Sequence, residues 1–177
     1  MNWKFVEKLE NESNIQLVES ALKVTFPEHF LSIVKKYNHG TADPGTFDTK
    51  YLKGRSFGEL LDFNLNREYN ILSEYELIKD RLPNNVYPFA GDAGGNYLCF
   101  DFNKNEITPR ILFWDHEQKF HIVDDEIVIN DEANDYERHY LDFVAVNFTE
   151  LLAMLYKPDG DEDDDEDAEI LYDGMDD

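Results

Sequence analysis

The sequence contains a single cysteine, Cys99, and few basic residues: 16 lysines and arginines stand against 39 aspartates and glutamates. One cysteine excludes an intramolecular disulfide, so nothing in the sequence requires an oxidising compartment. The net charge of −23 repels phosphate backbones and anionic lipid surfaces. Direct binding of nucleic acid or of a membrane is therefore disfavoured. A basic protein partner is favoured, because opposite charges accelerate encounter.

Long apolar runs are also missing. No segment approaches the ~20 apolar residues of a transmembrane helix, and residues 1–8 lack the apolar core of a signal peptide. We therefore expect a cytoplasmic protein. The apolar fraction of 42% and the aromatic fraction of 14% are typical of a globular domain with a hydrophobic core.

The negative charge is divided between the body of the chain and its C-terminal tail. Residues 157–177 contain twelve acids and one base, whereas residues 1–156 contain 27 acids and 15 bases. The tail has low complexity and is expected to be disordered, so the folded domain is predicted to span residues 1–156. Two roles stay open for the tail: a solubilising extension, or an electrostatic arm that engages a basic partner.

Apolar periodicity predicts helices at both ends of the domain and strands between them. Helical patterns follow capping signals at Ser13, Thr25, Ser73 and Asn147. Strands are predicted at residues 46–52 and 56–63, and a central sheet at residues 96–102, 110–115, 119–123 and 126–130. This order predicts an α+β fold, in which a single antiparallel sheet, or a mixed one, is flanked by N- and C-terminal helices.

The first strands of the central sheet show a period of two. In residues 96–102, Leu98 and Phe100 alternate with Cys99 and Asp101, which predicts that the two sets point to opposite faces of the sheet. Because Cys99 alternates with large apolar residues, we interpret it as a small packed hydrophobe rather than a nucleophile.

A glycine-rich loop at residues 91–95 precedes this strand. It lacks the lysine and the hydroxyl of a P-loop, and no helix follows it whose N-terminus could hold an anion. We interpret the loop as a turn that needs glycine at positive φ.

The acidic residues around this hairpin permit two interpretations. As a metal or acid–base cluster they lack a ligand spacing, and no second histidine lies near His116. No signature of a serine, cysteine or zinc hydrolase occurs either, so we predict no catalytic residue, no metal site and no cofactor. The alternative is a polar protein-binding surface, in which charge lies next to an aromatic anchor. The predicted partner-binding residues are Asp43, Asp92, Asp101, Trp114, Asp115, His116 and Glu117.

Four segments, taken in order, resemble the SUKH superfamily. They are Phe26-Pro27 before a helix that ends in Asn38-His39-Gly40; PFAGDAGGNY at residues 88–97; Phe100-Asp101 followed by Trp114-Asp115-His116-Glu117; and a C-terminal helix that begins Asn147-Phe148. The family commonly has Leu-Pro and an uninterrupted Asn-Gly in the first segment, so both positions depart from its pattern. The resemblance covers about residues 1–156 and implies a helix-flanked antiparallel sheet without an active site.

The resemblance also implies a function in protein binding. The superfamily includes a fungal cell-wall synthesis regulator and many bacterial immunity proteins that neutralise toxins, often nucleases. We therefore expect an immunity protein (antitoxin) that binds a basic toxin domain, with a nuclease as the expected toxin, and that blocks it by occlusion. The alternative is a regulatory protein-interaction scaffold related to the fungal regulator, and an enzyme is the least favoured class.

Overall fold

A seven-stranded antiparallel sheet forms the centre of the protein. The structure, a computed structural model, describes residues 1–117, 121–123, 126–128 and 141–158. In chain order the strands are β1 Asn2–Lys4, β2 Thr41–Asp43, β3 Thr46–Phe47, β4 Arg55–Ser56, β5 Glu59–Leu60, β6 Val86–Gly91, β7 Tyr97–Asp101, β8 Arg110–Trp114, β9 His121–Val123, β10 Glu126–Val128 and β11 Leu141–Ala145. The sheet has the order β1-β2-β5-β6-β7-β8-β11, and each of its described pairs is antiparallel.

Four helices accompany the sheet: α1 Ser13–Leu22, α2 Glu28–Tyr37, α3 Ile71–Ile78 and α4 Phe148–Met154, with a 3-10 turn at Lys79–Arg81. The apolar faces of α1, α2 and α4 pack on one face of the sheet and form the main core. The predicted α+β fold, with helices from both ends of the domain on an antiparallel sheet, is confirmed. Among the described residues, no helix has the length and apolarity to cross a membrane.

Alternation along the central strands separates two hydrophobic clusters. Leu98 and Phe100 belong to the main core on the helical side, opposite Cys99, and this separation of the two sets was predicted. Cys99 and Trp114 belong to a second cluster on the other face, which includes Ile78 at the end of α3. Both faces of the central strands are therefore buried. Burial also raises the pKa of the Cys99 thiol strongly, which agrees with its interpretation as a packing residue.

Aromatic rings dominate the main core. Phe30, on α2, is fully buried, and its ring lies 5.0–6.1 Å from five other phenylalanine rings. Edge-to-face pairs at such distances stabilise a core by ~1 kcal/mol each beyond the area that they bury. These ring contacts hold α2 against the sheet and against α4.

Several predicted elements differ from the structure. Segments 46–52 and 56–63 contain only the two-residue strands β3, β4 and β5, because Thr49 begins a turn in which its Oγ accepts hydrogen bonds from the backbone N–H groups of Tyr51 and Leu52. Segments 119–123 and 126–130 contain β9 and β10, which pair with each other in a separate two-stranded sheet. The place beside β8 is taken by β11, a strand that the sequence reasoning missed.

The predicted cap was correct for α4 and displaced for α3, whereas the predicted caps of α1 and α2 form no side-chain cap bond. Asn147 caps α4, since its side-chain oxygen accepts a hydrogen bond from Glu150 N at 2.9 Å. The cap of α3 is Asn70, with Ser73 as its partner three residues later, so the predicted cap at Ser73 was wrong. Helices α1 and α2 start without a side-chain cap bond. The predicted tail lies outside the described residues beyond Pro158, and its disorder stays a prediction.

Replacement of Asn147 by alanine should lower the free energy of unfolding by about 1 kcal/mol, because it removes the acceptor for an otherwise unpaired amide at the start of α4. Urea unfolding of the purified protein measures this change. Asn66→Ala is the control, since Asn66 is exposed and its side chain donates to the exposed Glu10 Oε2 at 3.1 Å. It should change stability by less than about 0.5 kcal/mol. Equal losses in the two variants would contradict the assignment of the cap.

Candidate partner-binding site

One end of the central sheet carries most of the predicted binding residues. Strands β2, β6 and β8 run in the same direction through the antiparallel sheet, so the residues at their carboxyl ends lie at the same end of the sheet. Asp43 ends β2, Asp92 follows β6, and Asp115 follows β8. Glu59 of β5 pairs with Gly91 at this end. We call this group, Asp43, Glu59, Asp92, Asp115 and Glu117, the acidic end.

Hydrogen bonds join two loops of the acidic end. The Asp92 carboxylate accepts from Gly94 N at 2.8 Å, from Asn96 N at 2.9 Å and from Asn96 Nδ2 at 3.0 Å. Asn96 Oδ1 in turn lies 3.0 Å from His116 Nδ1. Gly95 has φ +82°, as expected for the turn. Asp92 therefore shapes the loop, and its charge is held by amide groups rather than by a cation.

Two carboxylates of the acidic end already have basic partners. Asp43 lies 2.9 Å from Lys4 Nζ, and this hydrogen bond lowers the pKa of Asp43. Asp115 lies 3.5 Å from the Arg55 guanidinium, and its side chain is only 14% exposed. Both groups hold neighbouring segments together, so they contribute less free charge to the surface than the sequence suggests.

Glu59 and Glu117 are the accessible carboxylates of this end. Their side chains are 53% and 83% exposed. Among the described residues, the basic groups within 4 Å of them are histidines, His39 at 3.8 Å from Glu59 and His116 at 3.6 Å from Glu117. These two positions offer negative charge to a partner without loss of an internal lysine or arginine contact. Glu59 was missed by the sequence reasoning because β5 is too short to show a period.

Trp114 and Asp101 are the two predicted residues that the structure removes from the surface. Trp114 is 1% exposed, because its ring faces the second cluster and the Arg81 guanidinium covers it at 4.8 Å. Asp101 is fully buried at the opposite end of β7, where Arg110 Nε and Nη2 both lie 2.8 Å from its Oδ2. Neither side chain can contact a partner in this arrangement, which corrects both predictions.

The carboxylate of Asp101 is charged because its hydrogen bonds outweigh its burial. Burial alone would raise the pKa of Asp101. The backbone N–H of Asn103, the Arg110 guanidinium and the Asn103 amide all donate to the carboxylate, and together they lower its pKa below the ordinary value of 3.8. Asp101 therefore acts as a structural ion-pair residue of the hairpin between β7 and β8.

A cleft of about 390 Å³ opens next to the acidic end, between the start of α3 and the sheet. Its walls carry five carboxylates, those of Glu59, Asp62, Glu68, Glu74 and Asp92. Sequence reasoning missed the cleft because these residues come from segments that only the fold brings together. The only available signal was the acidic and aromatic composition of residues 68–76.

Hydrogen bonds orient two of the carboxylates in the walls of the cleft. Asp62 is 2% exposed, and its Oδ1 accepts from Asn38 Nδ2 at 2.7 Å and from Asn64 N at 2.8 Å. On the opposite wall the Tyr97 hydroxyl donates to Glu74 Oε2 at 2.5 Å. Burial, followed by this bond to a carboxylate, strongly raises the pKa of Tyr97, so the phenol keeps its proton and orients Glu74.

The described residues show no group of three or more histidine, cysteine or carboxylate side chains that could hold a metal ion. A family model, SUKH_6, described as SMI1-KNR4 cell-wall, matches residues 12–152. The chain belongs to the SUKH superfamily. The match includes the loop and strands that form most of the acidic end and the whole of the cleft.

A relative of this SUKH protein is the "SPbeta prophage-derived uncharacterized protein YokK" of Bacillus subtilis (strain 168). The two sequences are 37% identical over 71 residues, a segment that covers 40% of this chain and 31% of the relative. The chain thus matches about a third of the relative's length. No solved structure gave a significant match.

Proposed function

We propose that this SUKH protein is a cytoplasmic immunity protein that binds a cognate bacterial toxin domain and blocks it. The observation that carries the proposal is the acidic end, where Glu59 and Glu117 are exposed beside central strands whose two faces are buried. With both faces of the central strands covered, the ends of these strands and their loops are the natural place for a partner. The acidic end is suited to a basic protein surface.

A nuclease is the toxin class that best fits this chemistry. An enzyme that binds nucleic acid must present positive charge to phosphate groups. Carboxylates at the acidic end can occupy the same positive surface and exclude the phosphates, so inhibition needs no catalytic residue in the immunity protein. The printed name of the Bacillus relative gives it a prophage origin, which supports a bacterial setting for the proposal.

Co-expression with the toxin encoded beside the gene tests the proposal. We expect cells that carry both genes to survive, and the two proteins to elute as one complex on a sizing column. The toxin with an inactivating mutation serves as the control for expression and binding. Continued killing, together with separate elution of the two folded proteins, would overturn the proposal.

The second candidate is a regulatory scaffold that binds signalling or cell-wall proteins, and the cell-wall description of the matching family favours it. Both candidates require a protein partner, but they differ in the partner's activity. Binding to a non-toxic regulatory protein, with no protection against any neighbouring toxin, would support the scaffold.

A further inference from the structure

The cleft beside the acidic end carries more negative charge than its own chain neutralises. Arg67 is the one lysine or arginine among the residues that line it, and it contacts Asp62 at 3.5 Å and Glu7 at 3.1 Å. Within the described part of the chain, no lysine or arginine lies within 4 Å of the carboxylates of Glu68 or Glu74. The cleft therefore presents carboxylates that an external cation can approach.

We propose that this cleft receives an arginine side chain of the partner, an inference that rests on the proposed function and specifies how the partner is recognised. Two tyrosines lie among its carboxylates: Tyr69, which is 67% exposed, and Tyr97, which is half-buried. A guanidinium is planar, stacks on aromatic rings and binds carboxylates through several N–H donors at once. The combination of carboxylates and tyrosines is the environment that such a group prefers.

Arg67, which lines the cleft, shows that one of the cleft's carboxylates, Asp62, already contacts a guanidinium. Its Nη2 lies 3.1 Å from Glu7 Oε2 and its Nε lies 3.5 Å from Asp62 Oδ2, so one arginine already bridges two carboxylates. A second guanidinium in the cleft would meet Glu68 and Glu74, which also line it. The volume of about 390 Å³ exceeds what a single arginine side chain occupies.

The C-terminal tail of the chain has the wrong charge to occupy the cleft. The tail contains twelve acids and one base, and like charges repel it from a carboxylate-lined cleft. The hydrogen bonds of Asp62 and of Glu74 hold these two carboxylates in place before binding. Preorganised groups lose little conformational entropy when a ligand arrives, which favours affinity.

An arginine peptide tests the cleft without the toxin. Acetyl-hexaarginine amide, added to the full ¹⁵N-labelled chain at low salt, should shift the amide signals of Glu68, Tyr69 and Asp92. The hexacitrulline peptide, nearly isosteric but uncharged, should not. Glu68→Gln/Glu74→Gln should weaken arginine-peptide binding about tenfold, because both carboxylates are lost while the shape is kept. Glu28→Gln/Glu106→Gln is the matched control, since both residues line a groove at the opposite end of the sheet, and it should bind as the wild type does.

Three results would overturn the inference: equal binding of the citrulline peptide, shifts confined to residues away from the cleft, or undiminished affinity of Glu68→Gln/Glu74→Gln. The outcome is separable from that of toxin co-expression. Protection from the toxin without peptide binding in the cleft removes the arginine site and leaves the immunity function. Peptide binding in the cleft without protection removes the immunity function and leaves the site.

Discussion

Reversal of Glu59 and Glu117 to lysine is expected to weaken binding of the cognate toxin by about 10- to 100-fold, chiefly through slower association. Each reversal replaces an attraction to the basic partner by a repulsion at an exposed position of the acidic end. These two residues are chosen because their side chains have no lysine or arginine partner among the described residues. Reversal at Asp43 or Asp115 would instead release Lys4 or Arg55.

The matched control reverses two exposed glutamates at the other end of the sheet, so that the net charge changes by the same amount. Glu28→Lys/Glu106→Lys has the same net charge as Glu59→Lys/Glu117→Lys, and both of its positions are exposed. Surface plasmon resonance at two salt concentrations gives the association rates, and circular dichroism melts show that each variant is folded. An equal loss in both pairs would show a nonspecific charge effect and contradict the assignment of the acidic end.

Replacement of Asp101 by asparagine should lower the free energy of unfolding by about 3 kcal/mol, because it removes the negative charge that lies 2.8 Å from the largely buried Arg110 guanidinium. Both side chains are shielded from water: that of Asp101 is fully buried and that of Arg110 is 10% exposed. Urea unfolding at pH 7 measures the loss. Glu106→Gln, an exposed change in the same hairpin, should alter stability by less than about 0.5 kcal/mol.

The effect of Asp101→Asn should depend on pH. The folded protein holds the pKa of Asp101 below its ordinary value of 3.8, so the carboxylate stabilises the fold above that ordinary value. This stabilisation is lost as the pH falls through the lowered pKa. The difference between wild type and Asp101→Asn should therefore be constant near neutrality and shrink below about pH 4.

A second variant keeps this test decisive even where Asp101→Asn folds poorly. In Asp101→Asn/Arg110→Met the buried positive charge is also removed, so the double variant should be more stable than Asp101→Asn alone. If the two variants were equally unstable, or if Asp101→Asn lost less than about 1 kcal/mol, the ion pair would not have the structural role assigned to it.

The central hairpins were predictable because their sequence pattern is strong. Leu98 and Phe100 alternate with Cys99 in a strand that is buried on both sides, and the glycine at residue 95 identifies the turn. Strand β11 escaped prediction because an acid, Asp142, interrupts its apolar pattern and a bulge follows Phe143. The length of β5, two residues, leaves no periodicity to detect.

The acidic character of the candidate site could be read from the sequence, but the positions of its residues only in part. Asp92, Asp115, His116 and Glu117 are close in sequence to the hairpin ends, and the structure places them at one end of the sheet. Trp114 was assigned to the surface because alternation alone does not show that a strand is covered on both faces. The cleft, which depends on contacts between α3 and the sheet, has no local signal in the sequence.

The burial of both faces of the central strands has a consequence for how the protein can acquire new partners. Substitutions in strands β6, β7 and β8 alter packing, so most of them reduce stability. Substitutions in the exposed loops at the acidic end, such as at Ala93 or Glu117, leave the core unchanged. Specificity can therefore change in small steps without loss of the fold.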